Sequence, residues 1–470
     1  MNKSKTNQNH LYRIIDQILN TNQENSKDNA STITFENIDF NFEEPVQLAL
    51  TAFNIYFKNC SISGHRIDII LEQLEDIQNC LGFEQCKINS DLYIKESKLE
   101  YLSFKDVTIS SNNFFISSNE INKLSIVGDS KIHSKIKNLT IYDNLKIDSV
   151  DIRLNDFDYL YINNCNFINN FTLNVNTINK ILIEKSIFND DLEFWKNIII
   201  DEIMIKKSQL NRLISNQNNL GFEANFRDVT FNETVNFINL KTDNSYIKFQ
   251  DCIFQKNTNF DQSTIKELSF ESVIFRGITS FQNVKILNTI ILKKTLFEKN
   301  AFFDGISISN EKSLDINTLQ ILKGQLQKSE NKIEYLKYNA LEQRKYLQTL
   351  KLSDSDFYVL TLNSMSNNFG TNWYKGVKFT IKISVFFFLL IILINSFTNS
   401  KYPLVFNPSL EFATLSNILS EYLKFTFNFT FSNEDIQSNG YLYLIFILSK
   451  IFISYGIYQT ITAFRKFGKL

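Results

Sequence analysis

The chain has 470 residues, with 44 Phe, 12 Gly and 3 Pro, and its formal net charge is −1. It therefore lacks the strong basic field that DNA or RNA binding requires, and we expect no nucleic-acid partner. The sequence has three scattered histidines and lacks a CxxC pair and any GxSxG, P-loop or HExxH motif. We therefore expect a non-enzymatic protein without catalytic residues, metal or cofactor.

Residues 1–32 are mostly polar, and we interpret them as a leader ahead of the first structured domain. The first 26 residues contain no apolar segment of the kind that a signal peptide needs. We therefore expect the domain that follows to stay in the cytosol.

A repeat extends over residues 33–310. A phrase of six residues, apolar at the first and sixth places and small at the fourth, recurs every 21 to 23 residues. It begins at Ile162, Ile183, Ile205, Phe226, Phe249, Phe270 and Leu292, with looser copies at Phe35, Phe57, Phe83, Ile94 and Phe104. This period with strand-forming residues predicts a β-helix, a solenoid of stacked coils, with a bend inside each phrase.

A second aromatic residue follows many phrase starts by eleven residues, so each coil supplies at least two inward faces. These aromatics are Phe194, Phe237, Phe260, Phe281 and Phe303. The fourth place holds Cys60, Cys86, Cys165 and Cys252, and elsewhere Ser, Val, Thr or Ile. We interpret it as a small inward position that selects for modest size, and unpaired buried thiols suit a reducing cytosol.

The run Ala224-Asn225-Phe226-Arg227-Asp228-Val229-Thr230-Phe231, with Thr258-Asn259-Phe260 further on, resembles pentapeptide-repeat proteins. The resemblance is good over 222–305 and loose over 33–221. It implies a right-handed, four-sided β-helix with about five residues per face, from which coils longer than twenty residues depart. Some relatives mimic DNA, but those are acidic rods, and we do not transfer that function to this nearly neutral one.

Residues 316–370 change to a helical period. We expect two shorter helices that cap the open end of the solenoid, because Gly324 and Ser329-Glu330-Asn331 interrupt the pattern. The alternative is a single oligomerising coiled coil over 316–351. A short helix over 354–366 then ends at Asn368-Phe369-Gly370, a typical C-cap sequence.

Residues 373–470 form a predicted membrane domain with spans at about 377–397 and 441–464. The alternative is a pair of buried helices in a soluble domain. We expect these interface anchors around the spans: Trp373, Tyr374, Lys375, Lys378, Lys382, Arg465, Lys466 and Lys469. The positive-inside rule then places both termini in the cytoplasm and the loop 398–440 outside a bacterial inner membrane.

The tail resembles membrane-anchored pentapeptide-repeat proteins in two motifs, Ser366-Asn367-Asn368-Phe369-Gly370-Thr371-Asn372-Trp373 and Tyr458-Gln459-Thr460-Ile461-Thr462-Ala463-Phe464-Arg465-Lys466. This implies a two-pass protein with a channel-like tail. The potassium-filter motif TVGYG is missing, so that selectivity is not implied. Within the loop, residues 412–423 are predicted to form a helix that lies on the outer leaflet. The alternative is a re-entrant segment.

Lys450 is the one charge inside the second span, where it costs about 3 kcal/mol at mid-depth. Lys450 and Ser454 could share a polar face at a pore or wet seam, while Ser449, Gly456 and Thr460 form a separate small-residue packing stripe. The alternative is helix packing with a lysine that snorkels.

These features give three functional hypotheses. In the first, the solenoid receives a protein partner or signal, and an oligomeric membrane region permeabilises or conducts; stress or phage defence fits such an arrangement. In the second, the spans only tether a protein-binding scaffold. In the third, the belt from Trp373 to Lys382 senses the lipid of the inner leaflet.

Overall fold

The computed structural model describes residues 4–6, 31–51, 53–72, 79–129, 133–216, 223–398, 412–428 and 440–465. It divides into two compact units, Met1–Thr318 and Leu319–Leu470. The first unit is a parallel β-solenoid of about 12 turns, as the repeat predicts. The second unit is helical, and two of its helices are long and apolar.

The solenoid contains two parallel sheets, A and B, whose strands are numbered here in chain order. Sheet A contains β1 (Ser4–Thr6), β3 (Ile38–Phe42), β4 (Val46–Thr51), β6 (Ser61–Gly64), β7 (Ile67–Glu72), β9 (Lys87–Ile88), β10 (Leu92–Lys95), β12 (Thr108–Ile109), β13 (Phe114–Ser117), β15 (Ser134–Tyr142), β17 (Asn155–Asn163), β20 (Thr177–Glu184), β22 (Ile198–Lys206), β24 (Glu223–Arg227), β27 (Lys241–Gln250), β30 (Thr264–Glu271), β33 (Lys285–Lys293) and β36 (Ser307–Ile308). Sheet B contains β2 (Ser31–Glu36), β5 (Phe53–Lys58), β8 (Cys80–Glu84), β11 (Lys98–Lys105), β14 (Glu120–Val127), β16 (Lys146–Arg153), β18 (Asn166–Phe167), β19 (Phe171–Asn174), β21 (Ile187–Trp195), β23 (Gln209–Asn216), β25 (Thr230–Phe231), β26 (Val235–Asn236), β28 (Ile253–Phe254), β29 (Thr258–Asn259), β31 (Ile274–Phe275), β32 (Thr279–Ser280), β34 (Leu296–Phe297) and β35 (Ala301–Phe302).

The leader contributes one strand that its polar composition did not predict. Ser4–Thr6 pairs in parallel with Ile38–Phe42, in register from Ser4 opposite Ile38. The other leader residues up to position 30 lie outside the described part of the chain.

Each repeat phrase marks a corner of the solenoid. In the phrase that starts at Phe249, the third residue, Asp251, has a left-handed backbone with a φ of 53°. Phe249 and Cys252 are fully buried and Phe254 is 1% exposed, so the first, fourth and sixth places face the core. The bend predicted inside the phrase is therefore confirmed, and it lies at the third residue.

The phrases do not form the single series that the sequence predicts. Those at Ile94 and from Ile162 onward pair within sheet A, whereas Phe35, Phe57, Phe83 and Phe104 pair within sheet B. Each turn has two corners about half a turn apart, and both corners use the same phrase. The physical reason is that every corner needs the same left-handed residue followed by a small buried one.

Stacked aromatic rings fill the space between the corners. Phe226, Phe249 and Phe270 stack along sheet A with ring centroids 4.7 Å and 5.2 Å apart. The second aromatics stack likewise: Phe260 lies 5.0 Å from Phe281, which lies 4.8 Å from Phe303. Each aromatic pair contributes about 0.5–1.5 kcal/mol beyond the burial of its area.

The residues at the fourth places are small, as predicted, and they also form hydrogen bonds, which the repeat pattern does not predict. Cys252 Sγ donates to the carbonyl of Phe226 in the preceding turn at 3.4 Å. In three successive turns the same place holds Asn155, Asn176 and Asn197, and their amides bond to each other and to carbonyls of preceding turns. These ladders satisfy buried polar groups at the corners, where the strand pairing is interrupted.

The helices follow a short 3₁₀ turn at Glu311–Ser313. They are α1 (Ile316–Lys328), α2 (Lys332–Thr349), α3 (Ser355–Ser366), α4 (Trp373–Thr398), α5 (Phe412–Phe427) and α6 (Gly440–Phe464). Glu330 is left-handed, with a φ of 58°, and the Asn331 side chain accepts from the Glu334 amide at 3.2 Å. This break gives two helices instead of one five-heptad coil, and their capping role stays a prediction.

Candidate functional site

Helices α4 and α6 are long enough to cross a membrane. Their 26 and 25 residues correspond to about 39 and 37 Å, against a hydrocarbon core of about 30 Å. Large apolar side chains point away from the fold: Phe386, Leu389 and Ile451 are each 58% exposed. A core helix of a soluble domain would bury such side chains, so we take both helices as candidate membrane spans.

The two spans pack through reciprocal small-residue contacts. A Cβ on Gly456 would lie 2.5 Å from Thr380 Oγ1 and 3.2 Å from its Cα, and one on Gly376 would lie 2.6 Å from Thr460 Oγ1. Both threonine hydroxyls donate to the carbonyl of the glycine four residues earlier, at 2.9 Å. The backbones can thus approach closely, as in other small-residue helix pairs.

The predicted packing stripe on α6 largely faces α4. Gly456 and Thr460 make the contacts above, and Ser449 is fully buried with its hydroxyl bonded to the Phe446 carbonyl at 2.6 Å. Ser454 is half-buried one turn beyond Lys450. Lys450 itself is directed to a different neighbour, α5.

Lys450 is 8% exposed, and its ammonium donates a hydrogen bond to the Phe425 carbonyl near the carboxyl end of α5. It lies 4.7 Å from the ring centroid of Phe425 and 4.8 Å from that of Phe446. The last carbonyls of a helix lack intrahelical partners and carry about half a negative charge. The cation therefore stabilises this helix end through a hydrogen bond, the helix dipole and two aromatic faces.

The carboxyl end of α5 packs along α4 from its middle to its last turns and along the first half of α6. The Tyr422 hydroxyl is 2.5 Å from Ser384 Oγ, and the rings of Tyr422 and Phe425 both lie 5.6 Å from that of Phe388. At 1.5 Å per residue, Ser384 is about 17 Å from the start of α4, and Lys450 is about 15 Å from the start of α6. The helix on the outer leaflet and the re-entrant segment both stay predictions for residues 412–423.

A cluster of amide side chains joins α3 to α6. Asn367 Nδ2 donates to Gln459 Oε1 at 2.5 Å and to its carbonyl at 3.0 Å. The Asn363 side-chain oxygen accepts from Gln459 Nε2 at 3.0 Å and from the Tyr455 hydroxyl at 2.7 Å. The two tail motifs that carry the family resemblance are thus brought into contact, which sequence reasoning missed.

Three successive left-handed residues connect α3 to α4. Asn368, Phe369 and Gly370 have φ values of 54°, 58° and 81°. Each non-glycine residue in this region costs about 1–2 kcal/mol, so the contacts around the joint must hold it. One is the bond from Arg344 Nη2 in α2 to Asn368 Oδ1, at 2.7 Å. The joint therefore links α2 to the start of the first span.

The predicted interface anchors lie largely at one end of the helix pair. Trp373 stacks on Phe464 with centroids 4.9 Å apart, and Lys378 lies 4.7 Å over the Tyr374 ring. Lys375 Nζ instead donates to the Ser364 carbonyl at 2.5 Å, so it also fastens the joint. Lys382 and Arg465 are exposed, while Lys466 and Lys469 lie outside the described residues.

The cysteines of the fourth place lie inside the solenoid. Cys60, Cys86, Cys165 and Cys252 are at most 3% exposed. Burial raises the pKa of the Cys165 thiol to about 11 and that of Cys252 to about 12. The thiolate is the reactive form, so these two side chains are inert near neutral pH. Within the described ranges, no three His, Cys, Asp or Glu side chains form a group that could hold a metal ion.

No family model matches this chain, and neither a curated protein nor a solved structure matches it. The resemblance to pentapeptide-repeat proteins therefore rests on the repeat residues and the solenoid fold alone.

Proposed function

We propose that this chain is a non-enzymatic, membrane-anchored pentapeptide-repeat protein of the bacterial inner membrane. The solenoid of about 12 turns and its repeated corner phrase support the family assignment. Lysines at the start of α4, such as Lys375 and Lys378, and Arg465 at the end of α6 support cytoplasmic termini by the positive-inside rule. The solenoid would then stay in the cytosol.

The solenoid binds a protein partner in this proposal. An outward row on sheet A holds Tyr93, Phe115, Tyr161, Leu182 and Met204 in successive turns with one interruption, all half-buried. The first two rings stack with centroids 4.7 Å apart. Aromatic side chains and Met are enriched in the buried centres of protein interfaces, and solenoids offer extended binding surfaces.

The two-pass region acts as an oligomeric, channel-like effector. The single observation that carries this step is the contact of Lys450 with the carboxyl end of α5. A tether needs only two apolar helices. Here a third helix packs its carboxyl end against both spans, and the charge of Lys450 stabilises that end. Non-spanning helices at membrane depth occur where protein or water covers them, as in channels and transporters.

Membrane potential and potassium retention in cells that express the full-length protein test this function. We expect the wild-type chain to depolarise the cells and Lys450→Leu to alter the effect, because the end of α5 loses its cation. Lys351→Leu removes an exposed lysine ahead of α3 and should behave as wild type. No depolarisation at high expression, or the same depolarisation with Lys450→Leu, would contradict the proposal.

A membrane-tethered scaffold without conductance is the second candidate. The reciprocal contacts of Gly376 with Thr460 and of Gly456 with Thr380 favour it, since the two spans already satisfy each other within one chain. A protein that binds its partner through the solenoid and leaves the membrane potential unchanged would be this scaffold.

A further inference from the structure

Helix α5 carries an exposed ion pair beside the two candidate spans. Glu421 and Lys424 are joined at 3.0 Å, and their side chains are 66% and 62% exposed. They flank Tyr422, which contacts the middle of α4, and Phe425, which packs against Phe446 in the first half of α6. The pair thus lies between the middle of the spans and the end where α4 finishes and α6 begins, if both helices cross a membrane.

Contact with hydrocarbon would be costly for this face. Each charged side chain costs about 2.5–3.5 kcal/mol at the centre of a span, and the pairing of the two charges offsets only part of this. The apolar side chains Leu419 and Phe427 on the same helix are also 53% and 65% exposed. A surface that mixes exposed charges with large apolar groups fits protein contact beside water.

We propose that copies of this chain assemble around α5, so that the Glu421–Lys424 face lines a water-filled path. The inference rests on the proposed function and names its partner, a second copy of the chain. The packed side of α5 faces α4 and α6 of its own chain through Tyr422 and Phe425, and Thr426 is also buried. The opposite side is left for neighbouring copies, whose Leu419 and Phe427 contribute apolar contact.

Charge also argues for a copy of the same chain instead of another protein. The ion pair is internally neutral, and so is the exposed face that it forms, so identical copies meet without repulsion. The described parts of α4 and α6 contain no acidic residue that could oppose Glu421. Rotational symmetry would place equivalent pairs around one axis, as in other homo-oligomers.

Nitroxide labelling of the full-length protein in liposomes tests this arrangement. The label is attached at Lys424→Cys, at Ser420→Cys, which leaves the ion pair intact, and at the control Leu389→Cys, a 58% exposed position on α4. Wild-type protein treated in the same way measures labelling of the native cysteines. Two quantities are read: access to a water-soluble relaxing agent, and spin–spin broadening that disappears when labelled protein is diluted with unlabelled protein.

We expect labels at positions 420 and 424 to be about tenfold more accessible to the aqueous agent than the label at 389, and to show broadening that dilution relieves. Aqueous access without broadening would mean a monomeric helix at the membrane surface and would overturn the inference. Lipid access at all three positions would overturn it as well. Broadening and aqueous access in a protein that conducts no ions would refute the proposed function and leave the assembly intact.

Discussion

The asparagine ladder at the corners where sheet B strands lead into sheet A strands should carry a measurable part of the solenoid's stability. Asn176 is 1% exposed; its Oδ1 accepts from the Asn155 backbone amide at 3.1 Å, and its Nδ2 donates to the Ile152 carbonyl at 2.9 Å. Asn176→Ala leaves both of these buried backbone groups without their partner. At about 1–3 kcal/mol for each of the two unsatisfied groups, the variant should lose about 2–6 kcal/mol of unfolding free energy.

The assay is urea unfolding of the full-length protein in detergent, followed by the far-ultraviolet circular dichroism of the β-sheet. With a denaturant dependence of about 3 kcal/mol per M, the midpoint should fall by roughly 1 M. Asn179→Ala, three residues further on in β20, is the matched control, because its amide bonds at the surface to Asp158 at 3.1 Å. That change should stay within about 0.5 kcal/mol. Equal shifts for the two variants would refute the structural role of the ladder.

Three further predictions concern the span contact, the amide cluster and the buried thiols. Gly456→Leu should lower the thermal midpoint in detergent by the equivalent of about 1–3 kcal/mol, because the new side chain meets Thr380. Gly440→Leu should leave the midpoint unchanged, because Gly440 has no neighbour within 4 Å. Equal effects of the two variants would contradict the span packing. A double-mutant cycle of Asn367→Ala and Gln459→Ala should give a coupling of about 0.5–3 kcal/mol in thermal unfolding, and additive effects would contradict the contact. In the folded protein the pKa values of Cys165 and Cys252 are about 11 and 12, above the ordinary value of 9.0. As the pH rises above about 9, the unfolded state therefore loses these protons before the folded state does, and the free energy of unfolding should fall. Replacing both residues with Ser should weaken that fall in urea titrations, and an unchanged pH dependence would count against the burial of these thiols.

The sequence predicts the solenoid well because its core repeats. A residue that faces inward in one turn has its counterpart about 22 residues on, and the pairing of Phe249 with Phe270 follows that period directly. The sheet to which a given phrase belongs is harder to predict, since both corners of a turn use the same phrase. Phe57 and Phe270 look equivalent in sequence, although they belong to different sheets.

The candidate site could be predicted only in part. A charge inside an apolar run identifies Lys450 from sequence, because hydropathy is a local property. Its partner Phe425 lies 25 residues earlier in another helix, and no spacing rule connects them. The bond between Asn367 and Gln459 likewise joins residues 92 positions apart, so it depends on how the spans pack.

The most direct test of the account is ion flux through liposomes that contain the purified full-length protein. The account predicts flux that scales with the amount of protein, is altered by Lys450→Leu, and is retained by Lys351→Leu. Liposomes that stay tight at every protein density, or a flux that Lys450→Leu leaves unchanged, would contradict the claim that α5 and Lys450 form part of a conducting region.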